Sequence, residues 1–151
     1  MEVTLQAESV SAADLGPMIE SLITPYLEES YPESFADAEW RSHWHHRLQG
    51  WLQDDTVRVR TLRTETWVGF AACRLIGRDG TTLAELVDLY VVPDMRRHGL
   101  GSHLVEDVIA WSAQNGAREM SIAIKVRHQT AVDFFAQLGF SPQRLLLTRW
   151  I

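Results

Sequence analysis

The chain has 151 residues, enough for one domain and short for two, and its 46% hydrophobic and 23% charged residues exclude intrinsic disorder and low-complexity fibres. Its 14 Lys and Arg against 20 Asp and Glu give a net charge of −6, which argues against nucleic-acid binding over a broad basic face and favours a cationic substrate or partner. A single cysteine, Cys73, excludes an internal disulfide and a cysteine-built zinc site. No segment approaches the ~20 apolar residues of a membrane helix, and Met1-Glu2-Val3-Thr4-Leu5 lacks the pattern of a secretion signal. No membrane partner is expected, and the expected compartment is cytoplasmic.

Val3, Leu5 and Ala7 alternate with polar residues and predict a short half-buried strand. Ser11-Ala12-Ala13-Asp14 is a capping box, opening a helix that runs to about Glu29 with Pro25 as a kink point. Residues 34–53 predict a second helix, with Trp40, Trp44, Leu48 and Trp51 on one stripe facing the core. The period then changes from helical to alternating. Thr56–Arg63, Thr66–Ile76 and Thr82–Val92 predict three strands, and the short connections Thr64-Glu65 and Gly77–Gly80 predict hairpins. Leu100–Asn115 predicts a helix stopped by Gly116, Met120–Val126 a strand, and Thr130–Leu138 a short helix behind a second capping box. Phe140–Ile151 has strand character. Strand, helix, strand between residues 83 and 126 implies a parallel pair within an otherwise antiparallel sheet. The expected fold is therefore α/β: a single domain over residues 1–151, with a mixed, mostly antiparallel twisted sheet flanked by helices.

The strongest local signal is Val91-Val92-Pro93-Asp94-Met95-Arg96-Arg97-His98-Gly99-Leu100-Gly101-Ser102. A strand ends, a loop with two glycines follows, and a helix begins. Successive backbone N–H groups at such a helix start can cradle phosphate, and Arg96 and Arg97 add positive charge. A dinucleotide fingerprint needs a third glycine where Leu104 stands, and a P-loop needs Gly-Lys-Ser/Thr.

Arg96-x-x-Gly99-x-Gly101 resembles the R/Q-x-x-G-x-G/A motif of the GNAT acetyltransferases, which use acetyl-coenzyme A. Ala131-Val132-Asp133-Phe134-Phe135-Ala136-Gln137-Leu138-Gly139-Phe140 resembles that family's closing motif, and the element order is similar too. The resemblance implies that backbone groups of Tyr90, Val91 and Val92 pair with the pantetheine arm. It implies that the amides over Arg97, His98, Gly99, Leu100, Gly101 and Ser102 hold the pyrophosphate. It also implies that the parallel strand pair splays to seat the thioester, with a backbone N–H near Val91 polarising the acetyl carbonyl. His128 stands where the family often has asparagine and keeps a coenzyme contact. Phe135 replaces the tyrosine often assigned to protonate the leaving thiolate, and is expected to pack against coenzyme or core. A thiol of pKa about 8.5 leaves tolerably without an acid.

The implied reaction is acetyl transfer from acetyl-coenzyme A, as cosubstrate and without a metal, to a primary amine on a small molecule or peptide. The amine must lose a proton. Glu85 and Asp88 resemble the acidic positions of two branches of the family, and Glu85 is favoured. Ideal pleating puts the two on opposite faces, and a bulge would reverse that parity. Tyr26, Glu28, Glu29, Tyr31 and Glu33 form an acidic-aromatic stretch suited to an ammonium group. Alternatives are transfer from another short acyl-coenzyme A, or a coenzyme-A-binding sensor or interaction module without turnover. His43 and His46 share a helical face and suggest stacking or surface histidines rather than a metal site. Leu145-Leu146-Leu147 and Trp150-Ile151 suit either a buried last strand or contact with a second subunit in a homodimer.

Overall fold

The computed structural model describes residues 5–151. Val3 of the expected first strand lies outside them, Leu5–Ala7 form no strand, and the first strand is β1 (Glu8–Ser9), later in the chain than expected. The capping box forms as expected: the Asp14 carboxylate accepts from the Ser11 N–H at 3.0 Å and from its hydroxyl at 2.9 Å. Helix α1 (Leu15–Met18) passes through a π-helical turn, Ile19–Ile23, into α2 (Thr24–Ser30). Pro25 has no N–H to continue an α-helical ladder, so the backbone widens just before it, and the Thr24 hydroxyl donates to the Ile19 carbonyl at 2.9 Å. Helix α3 spans Trp40–Leu52 and buries Trp40, Trp44 and Leu48. The tryptophan stripe is core.

Strands β2 (Val57–Arg63), β3 (Trp67–Arg78) and β4 (Thr81–Val91) make the expected antiparallel meander. Arg78 pairs with Thr81, leaving a two-residue turn, Asp79-Gly80, with φ of 52° and 77°. Both values are positive, as a twisted hairpin requires. Helix α4 (Leu100–Gln114) crosses over to β5 (Ala117–Ser121), which runs parallel to β4, and α5 spans Gln129–Gln137. The sheet order among the described residues is β1-β2-β3-β4-β5. One core packs the sheet against α1–α3, the other against α4 and α5.

Several boundaries differ from the sequence expectation: the second helix begins at Trp40 rather than at residue 34, behind a separate 3-10 turn at Pro32–Ala36. The last strand of the sheet lies at 117–121 rather than 120–126, because β5 leaves β4 after Ser121 and the chain from Ile122 runs on without a ladder. Helix α5 starts at Gln129, one residue before the expected capping box, and is tied by a Gln129 Nε2–Asp133 Oδ1 hydrogen bond of 2.7 Å. Phe140–Ile151 forms no strand within the chain.

Candidate functional site

The site is built where β4 and β5 part. Their pairing ends at Glu85–Ser121, and beyond it β4 has no neighbour on that side. Val92 N–H donates to the Val68 carbonyl at 2.9 Å, so by the alternation of an antiparallel ladder the Leu89 and Val91 amides point away from β3 into the fork. β3 approaches closely here. A Cβ on Gly69 would sit 2.7 Å from the Tyr90 carbonyl oxygen, so this position accepts glycine alone without a backbone shift. Sequence reading missed Gly69, whose signal is an isolated glycine inside a strand pattern.

After β4 a short turn, Pro93–Met95, leads to Arg97 (φ 66°) and Gly99 (φ 76°), and Gly99 is the residue before α4. The first helical hydrogen bond runs from His103 N–H to the Gly99 carbonyl at 3.0 Å. The amides of Leu100, Gly101 and Ser102 therefore lack helical acceptors and are available to an anion. Arg97, His98 and Gly99 are exposed beside them. A Cβ on Gly101 would meet Phe134 at 3.3 Å, so this glycine sets the packing of α4 on α5. Arg96 does not reach toward the loop amides. Its Nε donates to the Val91 carbonyl at 2.9 Å and its terminal nitrogen meets Glu29 at 2.7 Å, pinning the loop to the end of β4 and to α2. The Glu29 hydrogen bond holds the guanidinium in its charged form.

Phe135 is buried, edge-on to Phe134 (4.9 Å between centroids) and to Phe140 (5.3 Å). His128 stands at the N-cap position of α5 without a side-chain cap hydrogen bond and is exposed. His103 Nε2 accepts from Ala7 N–H at 3.1 Å and so is occupied within the fold. His43 pairs with Asp37 at 2.6 Å rather than with His46. Burial pushes the Cys73 thiol up to about 11.

The two carboxylates of β4 fall on one face. Leu86 pairs with Cys73 and Asp88 with Ala72, so Val87 is an extra residue and the strand bulges there. The bulge reverses the parity of ideal pleating, and Glu85, opposite Arg74, shares the α1–α3 side with Asp88. Their environments differ. Glu85 is half-buried and ion-paired with Arg74 at 2.9 Å. Asp88 is only 8% exposed. Its Oδ1 accepts from the Tyr26 hydroxyl at 2.7 Å, and its Oδ2 has no partner among the described residues. Burial raises the Asp88 pKa against the lowering effects of the Tyr26 hydrogen bond and the Arg47 charge. Tyr26 holds its phenol proton far above the usual range, through burial and then the neighbouring Asp88 charge. Around this pair stand Tyr31, Tyr90 and Phe70, each about 5.5 Å from the Tyr26 ring. Exposed Glu28 and Glu29 put negative charge near Tyr90, and Lys125 lies over Tyr31 at 5.5 Å, spanning from the β5 exit to the end of α2. The acidic-aromatic stretch singled out in the sequence thus meets β4. A shallow depression lined by Gly16, Ile19, Glu20, Arg41 and His45 shares no residue with this cluster.

The family model of the Acetyltransferase (GNAT) family matches residues 17–140. The chain belongs to that family. It is similar to the uncharacterized N-acetyltransferase MJ1207 of Methanocaldococcus jannaschii, 28% identical over 82 residues, 52% of this chain and 36% of that protein. It is also similar to the aminoglycoside N(6')-acetyltransferase type 1 of Acinetobacter genomosp. 13, 33% identical over 64 residues, 42% of this chain and 44% of that protein. The matches thus span less than half the length of either relative. The fold superposes on AAC(6')-Iy in complex with a bisubstrate analogue (TM-score 0.76, 18% identity, 99% of both chains). It also superposes on a transcriptional regulator from Bacillus halodurans C-125 (TM-score 0.80, 16% identity, 98% of this chain and all of that one). The matched family is one of acetyltransferases, and both relatives carry N-acetyltransferase names. No helix among the described residues is long and apolar enough to cross a membrane.

Proposed function

We propose that this protein moves acetyl from acetyl-coenzyme A to a primary amine on a small cationic acceptor, by direct attack, with Asp88 as the base. The coenzyme supplies an acetyl thioester. The free amides of Leu100–Ser102 and the exposed Arg97, His98 and Gly99 hold its pyrophosphate, and the outward amides of Leu89 and Val91, rather than the ladder-bound Tyr90 and Val92, receive the pantetheine arm. The Val91 N–H polarises the acetyl carbonyl. The amine nitrogen attacks the carbonyl carbon, its proton passes to the carboxylate, and the carbon–sulfur bond breaks to release the thiolate.

Asp88 Oδ2 is the observation that carries the reading. It is a buried carboxylate oxygen with no partner among the described residues, on the strand that opens into the fork, with its pKa raised by burial. This reverses the preference for Glu85 that sequence spacing suggests, because Glu85 is spent on Arg74 and stands before the strands part. Tyr31, Glu28 and Glu29 beside the cluster and the net charge of −6 favour a polycationic acceptor. The aminoglycoside-acetylating relatives point the same way.

The test is thiol release from acetyl-coenzyme A across a panel of polyamines, aminoglycosides, amino acids and lysyl peptides, with propionyl-coenzyme A as a second donor. Turnover is expected with polyamines or aminoglycosides and acetyl donor. Coenzyme binding by calorimetry without release above hydrolysis for any amine would instead make the protein a coenzyme-A-binding module.

A further inference from the structure

Tyr26 of α2 is tied to the carboxylate of Asp88 on β4 across 62 residues of sequence. Its phenol donates to Asp88 Oδ1 at 2.7 Å, and both residues are shielded from solvent, Tyr26 at 5% exposure and Asp88 at 8%. The phenol cannot swing away. Its ring is edge-on to Tyr31 at 80° and to Phe70 at 82°, and tilted against Tyr90 at 48°. Neighbours from the end of α2, from β3 and from β4 thus hold the hydroxyl at one point.

A buried pair of this kind serves the fold alone when both carboxylate oxygens are used. Here one is not. Tyr26 occupies Oδ1, whereas Oδ2 is buried and has no hydrogen-bond partner among the described residues. A buried polar atom left open is costly and calls for a partner. A carboxylate held through one oxygen does not turn freely about its Cβ–Cγ bond, so its second oxygen is aimed. A hydrogen bond to the ionised form also opposes the burial that favours the protonated acid.

The other charged groups around Asp88 are engaged elsewhere. Arg47 of α3 acts on it as a charge, with its guanidinium over Trp44 at 4.5 Å and Trp51 at 6.0 Å. Glu85, on the same face of β4, is paired with Arg74, and Glu29 of α2 with Arg96. Glu28 and Glu29 act on Tyr90, the Tyr31 phenol acts on Tyr26, and Lys125 lies over Tyr31. Among the described residues, Tyr26 is the side chain that donates to Asp88.

We propose, on the reading that Asp88 is the base, that Tyr26 is its positioning residue: the phenol fixes Oδ1, aims Oδ2 at the acceptor amine and stabilises the ionised carboxylate. The first readout needs no acceptor. Aspartate carboxylates are isotope-labelled, the Asp88 signal is identified by its loss in Asp88→Asn, and its titration is followed by NMR. In Tyr26→Phe, which keeps the ring and its packing, the midpoint is expected to rise by about one to two pH units, the worth of a hydrogen bond to a charged group. 3-Fluorotyrosine in place of Tyr26, a stronger donor, is expected to lower it. The second readout is kcat/KM against pH with acetyl-coenzyme A and the amine panel. Its acidic limb is expected to follow the midpoint upward in Tyr26→Phe, with acetyl-coenzyme A affinity unchanged by calorimetry. In an Asp88→Asn background, Tyr26→Phe is expected to add no pH-dependent loss. A midpoint that Tyr26→Phe leaves in place overturns the positioning role, whether or not Asp88 is the base. A midpoint that rises while the rate profile stays fixed overturns the base reading and the proposal resting on it. A further pH-dependent loss in the Asp88→Asn background makes Tyr26 act on the reacting atoms itself and also overturns the proposal. If no amine turns over, base and positioning roles fail together, and the titration still reports whether Tyr26 holds the carboxylate. Should Tyr26→Phe not fold, the direction of the midpoint shift in the 3-fluorotyrosine protein decides.

Discussion

Phe135 anchors α5, and removing its ring is expected to unsettle both the domain and the loop that leads into α4. The ring is 5% exposed and is the buried residue of that helix, held edge-on between Phe134 and Phe140. Phe135→Ala deletes its transfer energy and leaves a cavity, a cost of about 3–5 kcal/mol for a buried ring. The two edge-on pairs place it toward the upper part of that range. For a chain of this length each kcal/mol lowers the melting temperature by about 2–4 °C, so a drop of about 6–20 °C is expected by calorimetry. Phe134 packs on Gly101 at the start of α4, so the same variant is expected to weaken acetyl-coenzyme A binding in titration calorimetry below its melting point. A melting temperature within about 2 °C of wild type would refute the packing role of this residue.

Gly69→Ala forces a Cβ to within 2.7 Å of the Tyr90 carbonyl, so β4 must shift where the fork opens. Coenzyme affinity is expected to fall more than the melting temperature does, and equal affinity by calorimetry would remove the close approach from the account. Arg96→Ala frees the Val91 carbonyl and unpins the loop from Glu29. A higher KM for acetyl-coenzyme A with kcat little changed is expected, and kinetics at saturating acceptor check it. Cys73, raised from 9.0 to about 11 in the fold, is expected to resist thiol reagents at pH 8 until denaturant is added. Because the folded thiol holds its proton longer than the unfolded one, its contribution to stability is intact below about pH 9 and is lost as pH rises toward 11, which denaturation at graded pH measures.

The meander, the crossover helix and the glycine loop were legible because each has a local cause: alternation, caps, and turn residues at Asp79-Gly80, Gly99 and Gly116. The side-chain face of Asp88 was not legible. The bulge at Val87 carries no glycine or other local signature, and it is set by pairing with β3. Arg96 was legible as a loop cation but not as the partner of Glu29, 67 residues away. Residues 145–151 have strand patterning and no strand, because patterning reports what a segment can bury and not where its partner lies.

The proposed reaction depends on which carboxylate of β4 takes the amine proton. The direct measurement is kcat/KM against pH for wild type, Asp88→Asn and Glu85→Gln, with coenzyme affinity followed by calorimetry. Asp88→Asn is expected to bind acetyl-coenzyme A normally and to lose about 10²–10⁴-fold in rate, the loss shrinking as pH rises and more acceptor is neutral unaided. The wild-type acidic limb is expected above the ordinary carboxylate range, the direction in which burial moves Asp88. A larger, pH-rescued loss in Glu85→Gln, or a profile that neither substitution changes, would contradict the assignment.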